Sequence, residues 1–174
     1  MDTGVLLLRL AVGLLIAGHG VQKVSFRLGG NGLAGGTEEF RRDGFRGGTP
    51  TALLAGAAQI GSGLFLAAGL LTPPAAMAAM GVMTVAGTVK LPKGLWVQND
   101  GYEYPLVLVV VCAALALTGP GCWSMDRALG LGHWPLWIVV GAIVAGPVSG
   151  LLTRAVLHRP AVAAGGERYA PAAD

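Results

Sequence analysis

Residues 4–21 read GVLLLRLAVGLLIAGHGV, eighteen positions with a single formal charge at Arg9. A run of about 18 or more apolar residues is what a helix needs to cross a hydrocarbon core roughly 30 Å thick. No basic segment precedes this block and no small-residue cleavage site follows it, so it is not expected to be removed as a signal peptide. Four more apolar blocks follow, at 49–71, 75–91, about 103–118 and 135–152. Thr49-Pro50 predicts a helix start, with threonine as cap and proline in the first turn. Thr72-Pro73-Pro74 predicts a very short turn, which makes the second and third spans antiparallel neighbours. Pro92 ends the third span, Gly119-Pro120-Gly121 stops the fourth, and Pro147 is expected to kink the fifth without breaking it.

Composition agrees with that reading. Hydrophobic residues make up 53% of the 174 positions and charged residues 12%, about half the charged share of soluble domains. The expectation is an all-α membrane protein: a four-helix transmembrane bundle over residues 1–129, an additional transmembrane helix within 130–158, and a disordered cytoplasmic tail over 159–174. Gln22 to Thr49 reads as a polar, glycine-rich loop, and Lys93 to Tyr102 as a compact polar segment. Gly13, Gly20, Gly56, Gly61, Gly63, Gly81 and Gly87 offer small faces for close helix packing.

The net charge of +3 is unevenly placed. With five spans, Lys23, Arg27, Arg41, Arg42, Arg46, Lys90, Lys93, Arg154, Arg159 and Arg168 fall on one side, and only Arg127 lies on the other. Lys and Arg accumulate in cytoplasmic loops, so the N-terminus is expected outside and the C-terminus inside. Trp123, Trp134 and Trp137 would mark the outer interface and Trp96 the inner one. No basic, aromatic-interleaved patch points to nucleic acid; the lipid bilayer is the expected partner.

A few polar residues stand out against this background. Arg9 lies about 8 Å inside the first span at the helical rise, where a charge costs on the order of 2.5–3.5 kcal/mol. It either faces the bundle and finds a partner or snorkels outward. His19 and Lys23, four apart, share a helix face. Gln59 lies near mid-depth of the second span, where an amide needs a hydrogen-bonding partner. Lys90, Asn99, Tyr102 and Glu103 gather at the same end of an antiparallel bundle as His19 and Lys23. Such a group can hold the polar head of a quinone, or it can be an ion-pair network in which Glu103 simply caps a helix. Cys112 reads as a buried, inert thiol; Cys122 lies just outside a span, where reaction or pairing with another chain stays open. The sequence shows no metal-ligand cluster, nucleophile elbow, phosphate loop or dinucleotide fingerprint.

Leu6-Leu7-Leu8-Arg9-Leu10, Gly18-His19-Gly20-Val21-Gln22-Lys23, the Asn31–Gly35 loop, Gln59 with Gly61 and Gly63, and Asn99-Asp100-Gly101-Tyr102-Glu103-Tyr104-Pro105 together resemble the DoxX family of small bacterial membrane proteins. The resemblance covers roughly Leu6 to Leu129. It implies a four-helix core, with the fifth span and tail as an extension, in a bacterial cell membrane. It also implies a redox setting: a membrane subunit of a quinone-linked or thiol-redox oxidoreductase system. Whether the chain is itself an enzyme stays open, as does homo-oligomer formation. A scaffold that anchors soluble redox partners through the basic first loop is the alternative. A small-solute transporter is weaker, since no internal repeat is evident.

Overall fold

The computed structural model describes residues 2–158, so the tail expected over 159–174 lies outside the described residues. The chain forms α1 (Asp2–Val24), α2 (Gly32–Arg42), α3 (Thr49–Ala68), α4 (Thr72–Lys90), α5 (Glu103–Thr118), the single turn α6 (Met125–Ala128) and α7 (Leu136–Leu157). The helices α1, α3, α4 and α7 are long and apolar enough to cross a membrane, and α5 is a shorter apolar helix of 16 residues. At one end, here the basic end, α1, α4 and α7 finish and α3 and α5 begin; the opposite end is the far end. Large apolar side chains cover the outer flank, with Leu7, Leu54 and Trp137 at 63%, 73% and 75% exposure. Lipid, as apolar as these side chains, suits such a surface.

Several boundaries differ from the sequence expectation. The cap of α3 is Gly48, whose φ of 55° with ψ of −126° is open to glycine, and Thr49 and Pro50 form the first helical turn. Thr72-Pro73-Pro74 is not the turn but the start of α4, because prolines without N–H groups fit a first turn whose donors have no helical partner. The turn itself is Gly69 to Leu71, and Gly69 closes α3 with φ 64°. The first loop is not plain coil: it contains α2, laid across the end of α1. Glycine permits that crossing, since a Cβ at Gly36 would stand 2.3 Å from the Lys23 carbonyl oxygen. α7 runs through Pro147 unbroken.

Two close helix pairs organise the bundle. α1 and α3 meet at Gly13 against Gly63 and at Gly20 against Gly56, where added Cβ atoms would lie 2.5 and 2.7 Å from the facing carbonyl oxygens. α4 and α7 meet at Gly81 and Gly150, where a Cβ on Gly150 would lie 2.4 Å from the Gly81 carbonyl oxygen. Such approach suits helices in lipid, where dispersion contacts hold neighbours together. A Cβ added at Gly61 would meet nothing within 4 Å outside its own helix backbone among the described residues, and one at Gly87 would make only an ordinary contact, so these two take no part in close packing. α4 is the central helix, touching α3, α5 and α7. The core around it contains Ile16, Leu66, Met80, Met83, Leu108 and Cys112.

Gly13→Ala places a methyl group against backbone and should lower stability by about 1–3 kcal/mol. Gly61→Ala should leave it unchanged or slightly raised. Thermal unfolding of both variants in detergent checks this, and equal shifts would contradict the packing scheme.

Candidate functional site

The polar residues at the basic end share a neighbourhood but divide into separate contacts. His19 Nδ1 lies 3.0 Å from Gln22 Oε1 and its Nε2 lies 3.1 Å from the Tyr104 hydroxyl, linking α1 to α5. Lys23 Nζ donates to Glu39 Oε1 at 3.1 Å and sits 5.2 Å from the Phe40 ring centroid. Lys90 and Lys93 both donate to Asp100, and these two hydrogen bonds pull its carboxyl down to about 2. A depressed carboxyl stabilises above its ordinary range, so this clamp persists from neutral pH until pH falls through about 2. Glu103 accepts from the Val97 N–H at 3.0 Å and fixes the turn before α5. Tyr102 is the cap position of α5, and Asn99 is exposed on the preceding turn.

Three of the residues singled out from sequence meet in one cavity. It has a volume of about 500 Å³, with α4 as its floor and α3 and α7 as its walls. Lys23, Lys90, Glu39 and Asp43 stand at its basic end, and Gln59 is set deeper, among the small side chains of Ala55, Ala58 and Ala78. Burial, and then the charge of Glu39, push the Asp43 carboxyl up from its ordinary value. A separate polar cleft of about 590 Å³, lined by His19, Gln22, Gly35 and Arg42 among others, abuts this cavity and shares Lys23 and Glu39 with it. Asn99, Tyr102 and Glu103 line neither space.

Three buried side-chain atoms have no hydrogen-bond partner among the described residues, Arg9 Nε, Arg154 Nη1 and Gln59 Oε1, and of these residues Gln59 lines the cavity. Gln59 is 3% exposed. A buried polar group left unpaired costs about 1–3 kcal/mol, so this one calls for an explanation. An amide both donates and accepts. It can therefore meet a ligand carbonyl through its N–H groups or a ligand hydroxyl through its oxygen.

Arg9 lies at the far end, away from this cavity. It is 2% exposed and so faces the bundle. It donates to the Pro120 carbonyl at 2.8 Å and also to the Trp123 carbonyl. The shortness of α5 makes this possible: the helix stops at Thr118, and the loop beyond it turns its carbonyls toward Arg9. Asp126, fully buried, accepts from the Leu71 and Thr72 N–H groups at 2.7 and 2.9 Å, from the Thr72 hydroxyl at 2.8 Å and from Trp134 Nε1 at 3.2 Å. Gly69 sits between the two: a Cβ there would collide with Arg9, and its carbonyl accepts from the Asp126 N–H at 2.8 Å. Sequence reasoning did not single out Asp126. The available signal was Ser124, which caps α6 by accepting from the Arg127 N–H and so marks an ordered turn.

These features define a multi-pass helical membrane protein with an amphipathic cavity reaching into its span. The chain belongs to the DoxX family: the family model for DoxX matches residues 4–91 of the 174. The match takes in α1 to α4, while α5 and α7 lie beyond it. Comparison with curated proteins and with solved structures returned no match.

Asp126→Ala strips four donors of their acceptor. With hydrogen bonds to charged groups contributing about 1.5–3 kcal/mol each, it should lower the unfolding temperature in detergent far more than Arg127→Ala at the exposed neighbouring position. Comparable losses would mean that the far-end network contributes little.

Proposed function

We propose that this DoxX-family protein is a membrane subunit of a quinone-linked or thiol-redox oxidoreductase system, and that its α3–α4–α7 cavity receives the head of a quinone. The observation that carries this reading is Gln59, which lines a largely apolar cavity with charged side chains at one end and whose buried side-chain oxygen has no partner among the described residues. A quinone ring is flat and apolar with two carbonyl acceptors, and its reduced form presents two hydroxyl donors. One amide serves both forms. Lys23 and Lys90 add cationic donors toward the basic end. The excess of Lys and Arg at that end supports a cytoplasmic location for it, with the N-terminus outside, and family membership supports a bacterial cell membrane as the setting.

The test is titration of the purified, detergent-solubilised protein with a short-chain quinone analogue, read as a shift in unfolding temperature. A ligand that binds only the folded state raises that temperature. Wild type should show a saturable rise. Gln59→Leu should start higher without ligand, because it removes an unpaired amide worth about 1–3 kcal/mol, and should lose most of the ligand-induced rise. No saturable rise in wild type would sink the quinone role. Anchoring of soluble redox partners by the exposed Arg42 and Arg46 would then become the standing reading.

A further inference from the structure

The long side of the cavity faces outward, toward the bilayer. α3 and α7 each pack on α4 instead of on one another, and the space between them is the cavity. Leu54 on α3 and Ser149 and Thr153 on α7 line that space and are also exposed on the outer flank. At the basic end, by contrast, the loop leading into α3 is tied to the end of α7. The Arg46 N–H donates to the Leu157 carbonyl at 2.8 Å, and Phe45 forms an isolated antiparallel bridge with His158. Phe40, Phe45 and His158 stack edge to face, with centroids 5.6 and 5.5 Å apart. Beside this tie, the Lys23–Glu39 ion pair borders both the apolar cavity and the polar cleft.

We infer that the cavity is loaded sideways from the lipid, through a portal between α3 and α7, while the Phe45–His158 tie and the Lys23–Glu39 pair close it toward water. The inference rests on the cavity being the ligand site. It also defines the ligand class: a membrane-dissolved amphiphile whose compact, uncharged polar head passes an apolar rim to reach Gln59, and whose apolar chain remains between α3 and α7. A phospholipid does not meet these terms. Its charged headgroup stays at the interface, and its acyl chain offers nothing for the amide to bond. The portal wall suits an apolar chain as well: the Ser149 and Thr153 hydroxyls already donate to the Gly146 and Ser149 carbonyls at 2.7 and 2.8 Å.

A nitroxide at Ala58→Cys, and separately at Val82→Cys, reports the route in the full chain reconstituted into liposomes. Cys122→Ser removes the exposed native thiol, and Cys112 is buried. Oxygen concentrates in the bilayer, whereas a nickel chelate stays in water. Both sites should be relaxed several-fold more by oxygen than by the chelate. Thr153→Trp, which fills the rim from an exposed position, should lower the oxygen effect at Ala58→Cys. Relaxation by the chelate equal to or above that by oxygen, or no response to Thr153→Trp, would overturn the lateral route. The quinone reading is scored separately by adding the analogue. Oxygen-dominated relaxation that the analogue leaves unchanged keeps the portal and removes the quinone; protection by the analogue at a site relaxed mainly by the chelate does the reverse.

Discussion

Inside a bilayer no water is at hand to satisfy a polar atom, and this constraint sorts the few polar side chains of the chain into two kinds. Arg9 and Asp126 are buried and largely answered from within: the two Arg9 Nη groups by loop carbonyls, with Nε alone left unpartnered among the described residues, and Asp126 by four donors drawn from two segments. Gln59 is as deeply buried, and its side-chain oxygen has no partner among the described residues. The far end of the bundle is thus a network in which buried charges meet loop carbonyls and N–H groups. The middle of the bundle keeps an amide in reserve.

The position of that amide follows from the backbone contacts. Gly13, Gly20, Gly56 and Gly63 draw α3 tightly onto α1, and Gly81 with Gly150 draws α7 onto α4. With each wall committed to its own neighbour, α3 and α7 stay apart and α4 forms the floor between them. Small side chains along that floor and wall, such as Ala55, Ala58 and Ala78, leave volume that larger ones would fill. The same residue type therefore has two effects here. On facing positions it closes a helix pair; on positions without a facing helix it leaves a cavity.

Much of the architecture was legible in the sequence because long apolar runs admit few solutions in lipid. The five helical blocks, the buried Cys112 and the uninterrupted passage through Pro147 all follow from length, apolar content and the rules of helix ends, whereas the sequence left Arg9 free to face inward or outward and the structure turns it inward. The helix α2 was hidden because GLAGGTEEFRR is rich in glycine, which reads as coil until the crossing with α1 shows why bulk is excluded there. The turn at Gly69–Leu71 was misplaced onto the prolines for a related reason: proline marks a boundary without saying on which side of it the helix lies. For the candidate site, residue types were readable and their grouping was not. His19, Lys23, Lys90, Asn99, Tyr102 and Glu103 lie at one end, yet only Lys23 and Lys90 join Gln59 around the cavity. Its second wall comes from α7, beyond the stretch that matches the family. Asp126 escaped notice because three of its four donors come from Leu71 and Thr72, some fifty positions away, and two of those three are backbone groups, which no residue pattern records.

The direct test of the central claim is the bonding state of one amide. The chain has three glutamines, Gln22, Gln59 and Gln98, so solid-state NMR with side-chain ¹⁵N-glutamine is tractable, and Gln59→Leu identifies the relevant signal. In liposomes containing a quinone analogue labelled with ¹³C at its carbonyls, the Gln59 nitrogen should show dipolar coupling to a labelled carbonyl at hydrogen-bonding distance. A Gln59 amide coupled to water alone, and indifferent to the labelled ligand, would contradict the account.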